Sequence, residues 1–449
     1  MSEVVTIENV ARLEGHASVS LYLDDIGGID KAEFSATEPS RAFDVILRGK
    51  HASEVPRLAA RICGICYTAH NIGACKALED AWGTPVPESA KKIREMLLYA
   101  NTLSSNALHT FFLAAPGLLI DGINTIADLK DNYPQIFHAG MELRDIGQKI
   151  SEIIAGRKVH TTVSVPGGVR GTLCQEKQDQ IMELLESATS SIETMEYFFH
   201  YILCTKQDYM QNFGKIKTHF VSLKQSDRLE LYDAPIEILM SDGKVKHLSP
   251  AEFLDGVVEL EKDYSYVRHP YLKNQGPEKG QFRVGPLARI QNADWQGTMM
   301  KSFRNNFGPS PVQATMGYDV ARVPEMFECI KSMRDILDSG LDNDIKNVAT
   351  PKDARGVAVL EAPRGILLHC YETNSSGIVK DARVIAPTTF HQGSIEQSAY
   401  EAAKSVFNGE HNDCTIDENK VKVEQVIRAY DPCMSCAGAT QLRVIKKSD

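Results

Sequence analysis

Polar and apolar positions alternate early in the chain. Val19, Leu21 and Leu23 fall on one face, a Gly27-Gly28 turn follows, and Phe34 resumes the pattern, so a β-hairpin is expected over 15–40. Helical spacing then takes over. Ile72, Cys75, Leu78 and Trp82 repeat on one stripe from Asn71, and Gly83 supplies a stop. A long helix is expected over 88–115 (Ile93, Leu97, Ala100, Leu108, Phe112), closed by Pro116-Gly117. Others are expected over 176–212 (Ile181, Leu184, Leu185, Ala188, Ile192, Met195) and 317–340 (Val323, Phe327, Ile330, Ile336). Shorter helices are expected at 394–407 and 417–430. The stretches 229–285 and 356–388 read as strands and loops, with Val357-Ala358-Val359-Leu360 and Gly365-Ile366-Leu367-Leu368-His369 as strand material. The class is therefore mainly α with peripheral β (α+β). No repeat, low-complexity tract or long linker interrupts it, so one unit over 1–449 is expected.

At 449 residues the chain exceeds one ordinary core and suits two or three fused layers or lobes. Hydrophobic residues make up 43% and charged residues 24%, as in a soluble globular protein. A formal net charge of −10 argues against a nucleic-acid partner, which would require a basic face. No run of 18 apolar residues occurs, so no membrane span is expected. Met-Ser-Glu-Val-Val has neither the basic flank nor the apolar core of a signal peptide, which points to a cytoplasmic protein.

Of ten cysteines, four form two C-x-x-C pairs: Cys63 with Cys66, and Cys433 with Cys436. Cys75, Cys174, Cys204, Cys329, Cys370 and Cys414 are single and read as packing residues. They lack cluster spacing, so no iron–sulfur centre is expected in this chain. Cys66 falls near a helix start, where the dipole favours a thiolate. Pro432 would stop the last helix and deliver Cys433 and Cys436 just beyond it.

A C-x-x-C turn brings two sulfurs to one side, and three chemistries can use it. Two knuckles can close a structural zinc site. A single pair can be a redox dithiol. Soft thiolates can also hold iron or another functional transition metal. Zinc ribbons place their knuckles roughly 15–20 residues apart, whereas 433 − 66 = 367 positions separate these pairs. A shared site would thus be buried between distant elements.

Arg61-Ile62-Cys63-Gly64-Ile65-Cys66 with His70, and Ala429-Tyr430-Asp431-Pro432-Cys433-Met434-Ser435-Cys436, resemble the two signature motifs of nickel–iron hydrogenase large, catalytic subunits. Arg12-Leu13-Glu14-Gly15-His16, Val165-Pro166-Gly167-Gly168 and Glu361-Ala362-Pro363-Arg364-Gly365 are similar to further family segments, in order along nearly the whole chain. The likeness is greatest to the cytoplasmic, multisubunit (group 3) branch. The resemblance implies the large-subunit fold, with a central bundle of long helices, and reversible oxidation of dihydrogen to protons and electrons. It makes Cys63 and Cys433 terminal ligands of nickel, with Cys66 and Cys436 bridging nickel to an iron that carries carbon monoxide and cyanide. It makes Glu14 the proton carrier and sets Arg364 over the metals, held by Asp431. His70 would donate to a bridging sulfur, Pro363 would shape a cyanide pocket, and Asp44 would bind a second ion, magnesium or iron. An iron–sulfur small subunit is implied as partner, with flavin or disulfide-reductase-type electron-transfer subunits beyond it. Without the resemblance, Glu14 reads as a surface or capping residue, Arg364 as half of a surface ion pair, Asp431 as a turn residue and His70 as a helix-face histidine.

Three positions depart from the family pattern. Ala439 stands where a His or Arg precedes a proteolytic cut, so a chain with an unprocessed tail over 440–449 is expected, and the second ion loses a ligand. Gly117 replaces an Asp that salt-bridges near the active-site Arg, leaving Asp431 to hold Arg364 alone. Phe390-His391-Gln392 replaces an amide-rich run. These departures keep open a non-catalytic scaffold or sensor that retains the fold, and a mononuclear nickel or zinc protein.

Overall fold

Four long helices form the centre: Glu88–Ala107, Pro134–Ala155, Thr189–Thr205 and Gly317–Asp338 pack against one another. The computed structural model describes residues 4–118, 120, 122–291, 293–407 and 413–438, without the side chains of 413 and 414. The tail over 440–449 and Ala439 lie outside the described residues. The expected helices at 88–115, 317–340 and 417–430 are present, with two refinements. The first turns at Leu108 into a π-helical segment, Leu108–Ala114, and the expected 176–212 helix is three, Gln175–Ser187, Thr189–Thr205 and Gln207–Asn212. The helix expected at 394–407 starts at Pro387, because proline suits the first helical position, where no N–H is needed.

Three sheets lie toward the outside. Ala17–Leu23 and Ile29–Ala36 form the expected hairpin, joined by Val4–Ile7, and alternate between core and surface. A four-stranded sheet and a two-stranded one occupy the 219–283 region. One sheet is set deeper. Ala354–Ala362, Gly365–Thr373 and Val379–Ile385 pair antiparallel, and the first two pack on the helix Tyr67–Trp82. Ala358 and Leu360 join the main core on that side, while Val357 and Val359 join a second core with Phe253, Phe282 and Phe390. Both faces are covered, so the strand reads as an unbroken apolar run. Ala362 pairs with Gly365, which makes Pro363 and Arg364 the tip of a two-residue hairpin.

The two ends of the chain meet. Glu14 and Cys433 form an isolated parallel bridge: Glu14 N–H donates to the Pro432 carbonyl at 3.3 Å, and Met434 N–H donates to the Glu14 carbonyl at 2.9 Å. Gly15 has φ +80°, and a Cβ there would sit 2.8 Å from Met434 Cβ, so glycine permits the approach.

Candidate metal centre

Cys63 lies in the turn before the helix Tyr67–Trp82, and Cys66 is its N-cap. Cys433 caps the short helix Met434–Ala437, which also carries Cys436, after Pro432 has ended the preceding helix. All four sulfurs are buried and lie within 4.8 Å of one another. Among the described residues no other group of three or more His, Cys, Asp or Glu is arranged to hold a metal. Cys63 Sγ is 3.4 Å from Cys433 Sγ, Cys66 Sγ 2.8 Å from Cys436 Sγ, and Cys433 Sγ 3.0 Å from Cys436 Sγ. Four soft donors at this spacing suit a thiophilic transition metal or a thiolate-bridged pair.

The amide groups at the helix start single out Cys63 rather than Cys66. Ile65 N–H and Cys66 N–H both donate to Cys63 Sγ, at 3.2 and 3.4 Å. Hydrogen bonds from Cys433, Cys436 and Cys66 hold the Cys63 thiol well below its ordinary range, and Arg364 adds attraction. At Cys66 the lowering by Cys433 and Cys436 is outweighed by Cys63 and burial, so its thiol is raised. The expectation that Cys66 is the favoured thiolate is corrected on this ground. Burial pushes Cys433 and Cys436 well up.

Glu14 sits beside the cluster, half-buried. The Cys433 thiol donates to its Oε2 at 3.2 Å, Ser435 N–H donates to the same oxygen at 2.9 Å, and the Ser435 hydroxyl donates to Oε1. Arg364 is buried and bound to Asp431 twice, through Nε to the carbonyl at 2.6 Å and through Nη2 to Oδ1 at 2.9 Å. Its Nη1 is buried with no partner. Asp431 has φ +53°, and burial would raise its carboxyl, but Arg364, His109 and Arg322 outweigh that and hold it at about 2. Gly117 lies against the guanidinium of Arg12. Within the described residues Asp431 is the carboxylate partner of Arg364.

Pro363 accepts from Arg289 Nη2 through its carbonyl at 2.9 Å. His70 is fully buried, its Nδ1 3.2 Å from His369 Nε2, and its Nε2 has no partner. Asp44 is buried in the helix Phe43–Leu47 and belongs to no metal-holding group among the described residues. Nearby, Arg41 N–H donates to the Gly438 carbonyl at 2.7 Å, and its guanidinium reaches the carbonyls of Ile62 and Ser435. Of the single cysteines, Cys75, Cys329 and Cys370 are buried as expected, whereas Cys174 and Cys204 are exposed. Cys204 misled because its neighbours Ile202 and Leu203 are buried while it falls on the outer side of their helix.

Several contributors carry no motif signal. Thr388 Oγ1 accepts from Cys433 N–H at 3.0 Å. His109, in the π-helical segment, bonds Asp319 at 2.9 Å and places Nδ1 3.3 Å from Asp431 Oδ1. Arg289 binds Glu325 with two bonds and Glu361 with one, and reaches the Ala362 and Pro363 carbonyls behind Arg364. Ser435 was detectable only as the residue between Cys433 and Cys436.

A family model described as nickel-dependent hydrogenase matches residues 41–133 and 240–438, and one described as HoxL-like matches residues 4–38. One subunit of the vhu F420-non-reducing hydrogenase of Methanocaldococcus jannaschii is 36% identical over 90% of this chain and 99% of its own length. The beta chain of the NAD-reducing hydrogenase HoxS of Cupriavidus necator is 28% identical over 97% of this chain and 94% of its own. A crystal structure of an NAD+-reducing [NiFe]-hydrogenase in the H2-reduced state superposes with a TM-score of 0.88 at 30% identity, covering 97% of this chain and 99% of that one.

Proposed function

The chain belongs to the nickel-dependent hydrogenase family, and we propose that Cys63, Cys66, Cys433 and Cys436 hold a nickel–iron pair whose iron also carries carbon monoxide and cyanide. Its activity is that of a hydrogenase large subunit: dihydrogen is converted reversibly to two protons and two electrons. The observation that carries the assignment of the site is the convergence of the four sulfurs, all buried, from opposite ends of the sequence. When bound, the metal pair supplies the soft, open site at which dihydrogen is split.

The residues fit that group. In this reading Cys63 and Cys433 are terminal ligands and Cys66 and Cys436 bridge. The unpartnered Nη1 of Arg364 is a buried cationic donor that suits an anionic diatomic ligand. Asp431 fixes the guanidinium plane through two bonds, and Pro363 shapes the hairpin tip beside it. Glu14 takes the proton of the Cys433 thiol, to which it is already hydrogen-bonded, and passes it outward through its exposed side. Asp44 as ligand of a second ion remains a proposal resting on its burial near the Gly438 end of the chain. The whole chain acts as one unit, and its tail over 440–449 stays uncut.

Electrons leave through an iron–sulfur partner subunit, since the described residues hold no second metal-binding group. Relatives named as subunits of larger hydrogenases, one of them NAD-reducing, support further electron-transfer subunits. No helix is long and apolar enough to cross a membrane, and we place the complex in the cytoplasm. Retention of all four sulfurs disfavours the scaffold and single-metal alternatives.

Infrared spectroscopy of the purified native complex, with nickel and iron analysis, tests the reading. One carbon monoxide band and two cyanide bands with equimolar nickel are expected. Zinc or no metal on the cysteines, with no such bands, would overturn it.

A further inference from the structure

His70, His369 and Tyr371 form a fully buried chain that the reaction as described does not use. Tyr371 Oη is 2.6 Å from His369 Nδ1, and His369 Nε2 is 3.2 Å from His70 Nδ1. His70 Nε2 is the open end, buried and without a protein partner. His70 stands one helical turn after Cys66 and donates its backbone N–H to the Cys66 carbonyl at 3.2 Å. A helical side chain leans over the preceding turn, so His70 covers the turn that carries Cys66.

Each histidine can be protonated on either nitrogen, and the order of hydrogen bonds decides which. If Tyr371 donates, His369 carries its proton on Nε2 and donates to His70 Nδ1. His70 must then carry its proton on Nε2. If the chain ran the other way, the buried Tyr371 hydroxyl proton would have no acceptor among the described residues, and His70 would turn a bare lone pair toward electron-rich sulfur. An unpaired buried donor costs about 1–3 kcal/mol, so the first order is favoured. Both rings stay neutral, since burial lowers His70 to about 4 and holds His369 well below its ordinary value.

The packing is built around the His369 ring. His369 lies on the buried strand Gly365–Thr373, opposite Ala358. Gly73, on the facing helix, leaves the space: a Cβ there would come within 2.8 Å of His369 Cδ2 and 2.9 Å of Leu360 Cδ2.

We propose that His369 and Tyr371 are positioning residues that lock His70 in the tautomer whose Nε2–H donates into the four-sulfur cluster. Neither touches the reacting atoms; each acts through His70. The hydrogen bond withdraws electron density from a metal-bound sulfur, and the lock keeps that withdrawal constant during turnover. The inference rests on the nickel–iron reading above.

The test is the position of the carbon monoxide band in the native complex, measured with metal content. Tyr371→Phe should keep nickel and iron and shift the band to lower wavenumber, because His70 can then lose its donor tautomer and the metals become more electron-rich. His369→Leu should give the same shift. His369→Gln should not, since an amide N–H donates to His70 without help from Tyr371. The double variant Tyr371→Phe with His369→Gln should recover the wild-type position, which a packing defect would not do. An unmoved band in fully loaded Tyr371→Phe would overturn the proposal. If Tyr371→Phe fails to load metal, the pair His369→Leu and His369→Gln decides: equal band positions overturn it, and a shift only in the leucine variant supports it. Absence of diatomic bands from the wild type is a distinct failure, that of the nickel–iron reading itself.

Discussion

Glu14 stands where the buried cluster gives way to the surface, with the Cys433 thiol at 3.2 Å and Ser435 on both carboxylate oxygens. Glu14→Gln keeps the side chain's shape but cannot carry a proton. It should retain nickel and iron and lower hydrogen-dependent dye reduction by roughly 10²–10⁴-fold; turnover close to wild type would remove Glu14 from the proton route. Asp431 acts on stability instead. Its folded carboxyl sits at about 2, under its ordinary 3.8. A depressed acid contributes stability that is present above the ordinary value and lost as pH falls through the folded one. Acid denaturation should therefore remove about 2 kcal/mol between roughly pH 4 and pH 2. Asp431→Asn should flatten that window. It should also cost roughly 3–5 kcal/mol at neutral pH, because Arg364 is left buried without its countercharge. A melting-temperature series from pH 6 down to pH 2 reads both effects, and matching curves for wild type and variant would contradict them.

The elements show which parts of the fold were legible. The hairpin at 15–40 was, because alternation on a half-buried sheet leaves a period of two. The helix Pro134–Ala155 was not anticipated, although Ile136, Leu143, Ile146, Ile150 and Ile154 carry a helical stripe. Glycines at 140 and 147 weaken it as a sequence signal, yet they are where the neighbouring helix comes closest: a Cβ on Gly147 would lie 2.4 Å from the Ala100 carbonyl oxygen. Helix propensity alone predicts that Gly147→Ala stabilises by about 1 kcal/mol. The contact predicts the reverse, a loss of roughly 1–3 kcal/mol from overpacking. A lower melting point for Gly147→Ala would confirm that packing outweighs propensity; a higher one would refute the close approach. The π-helical turn at Leu108 and the breaks near Ala188 and Lys206 left no mark in the hydrophobic period, since apolar residues continue through each. At the site, the cysteines, Glu14, Arg364 and Asp431 were legible through motif spacing. Thr388, His109 and Arg289 were not, because each is one polar residue in an apolar run and acquires its partner only through tertiary contact.

Across the whole molecule, the cluster joins segments that are 367 positions apart, and little besides local contacts secures the C-terminal one. The Glu14–Cys433 bridge, Thr388 on Cys433 N–H, Asp431 on Arg364 and Arg41 on the Ser435 carbonyl are the ties among the described residues around the last motif. Four neutral thiols packed within 4.8 Å gain little from one another. Once deprotonated they repel, unless a cation lies between them. Metal binding is therefore coupled to folding of this junction, while the helix bundle and the deep sheet have apolar cores of their own. Metal-depleted complex should show faster amide exchange at residues 12–15, 61–70 and 430–438, and unchanged exchange in Glu88–Ala107 and Gly317–Asp338. Hydrogen-exchange mass spectrometry on loaded and depleted complex separates the outcomes. Equal protection of the junction in both would mean that backbone contacts alone close it, and that the metal joins a site already formed. Loss of protection throughout the bundle would mean that the metal supports the whole fold rather than the meeting of its two ends.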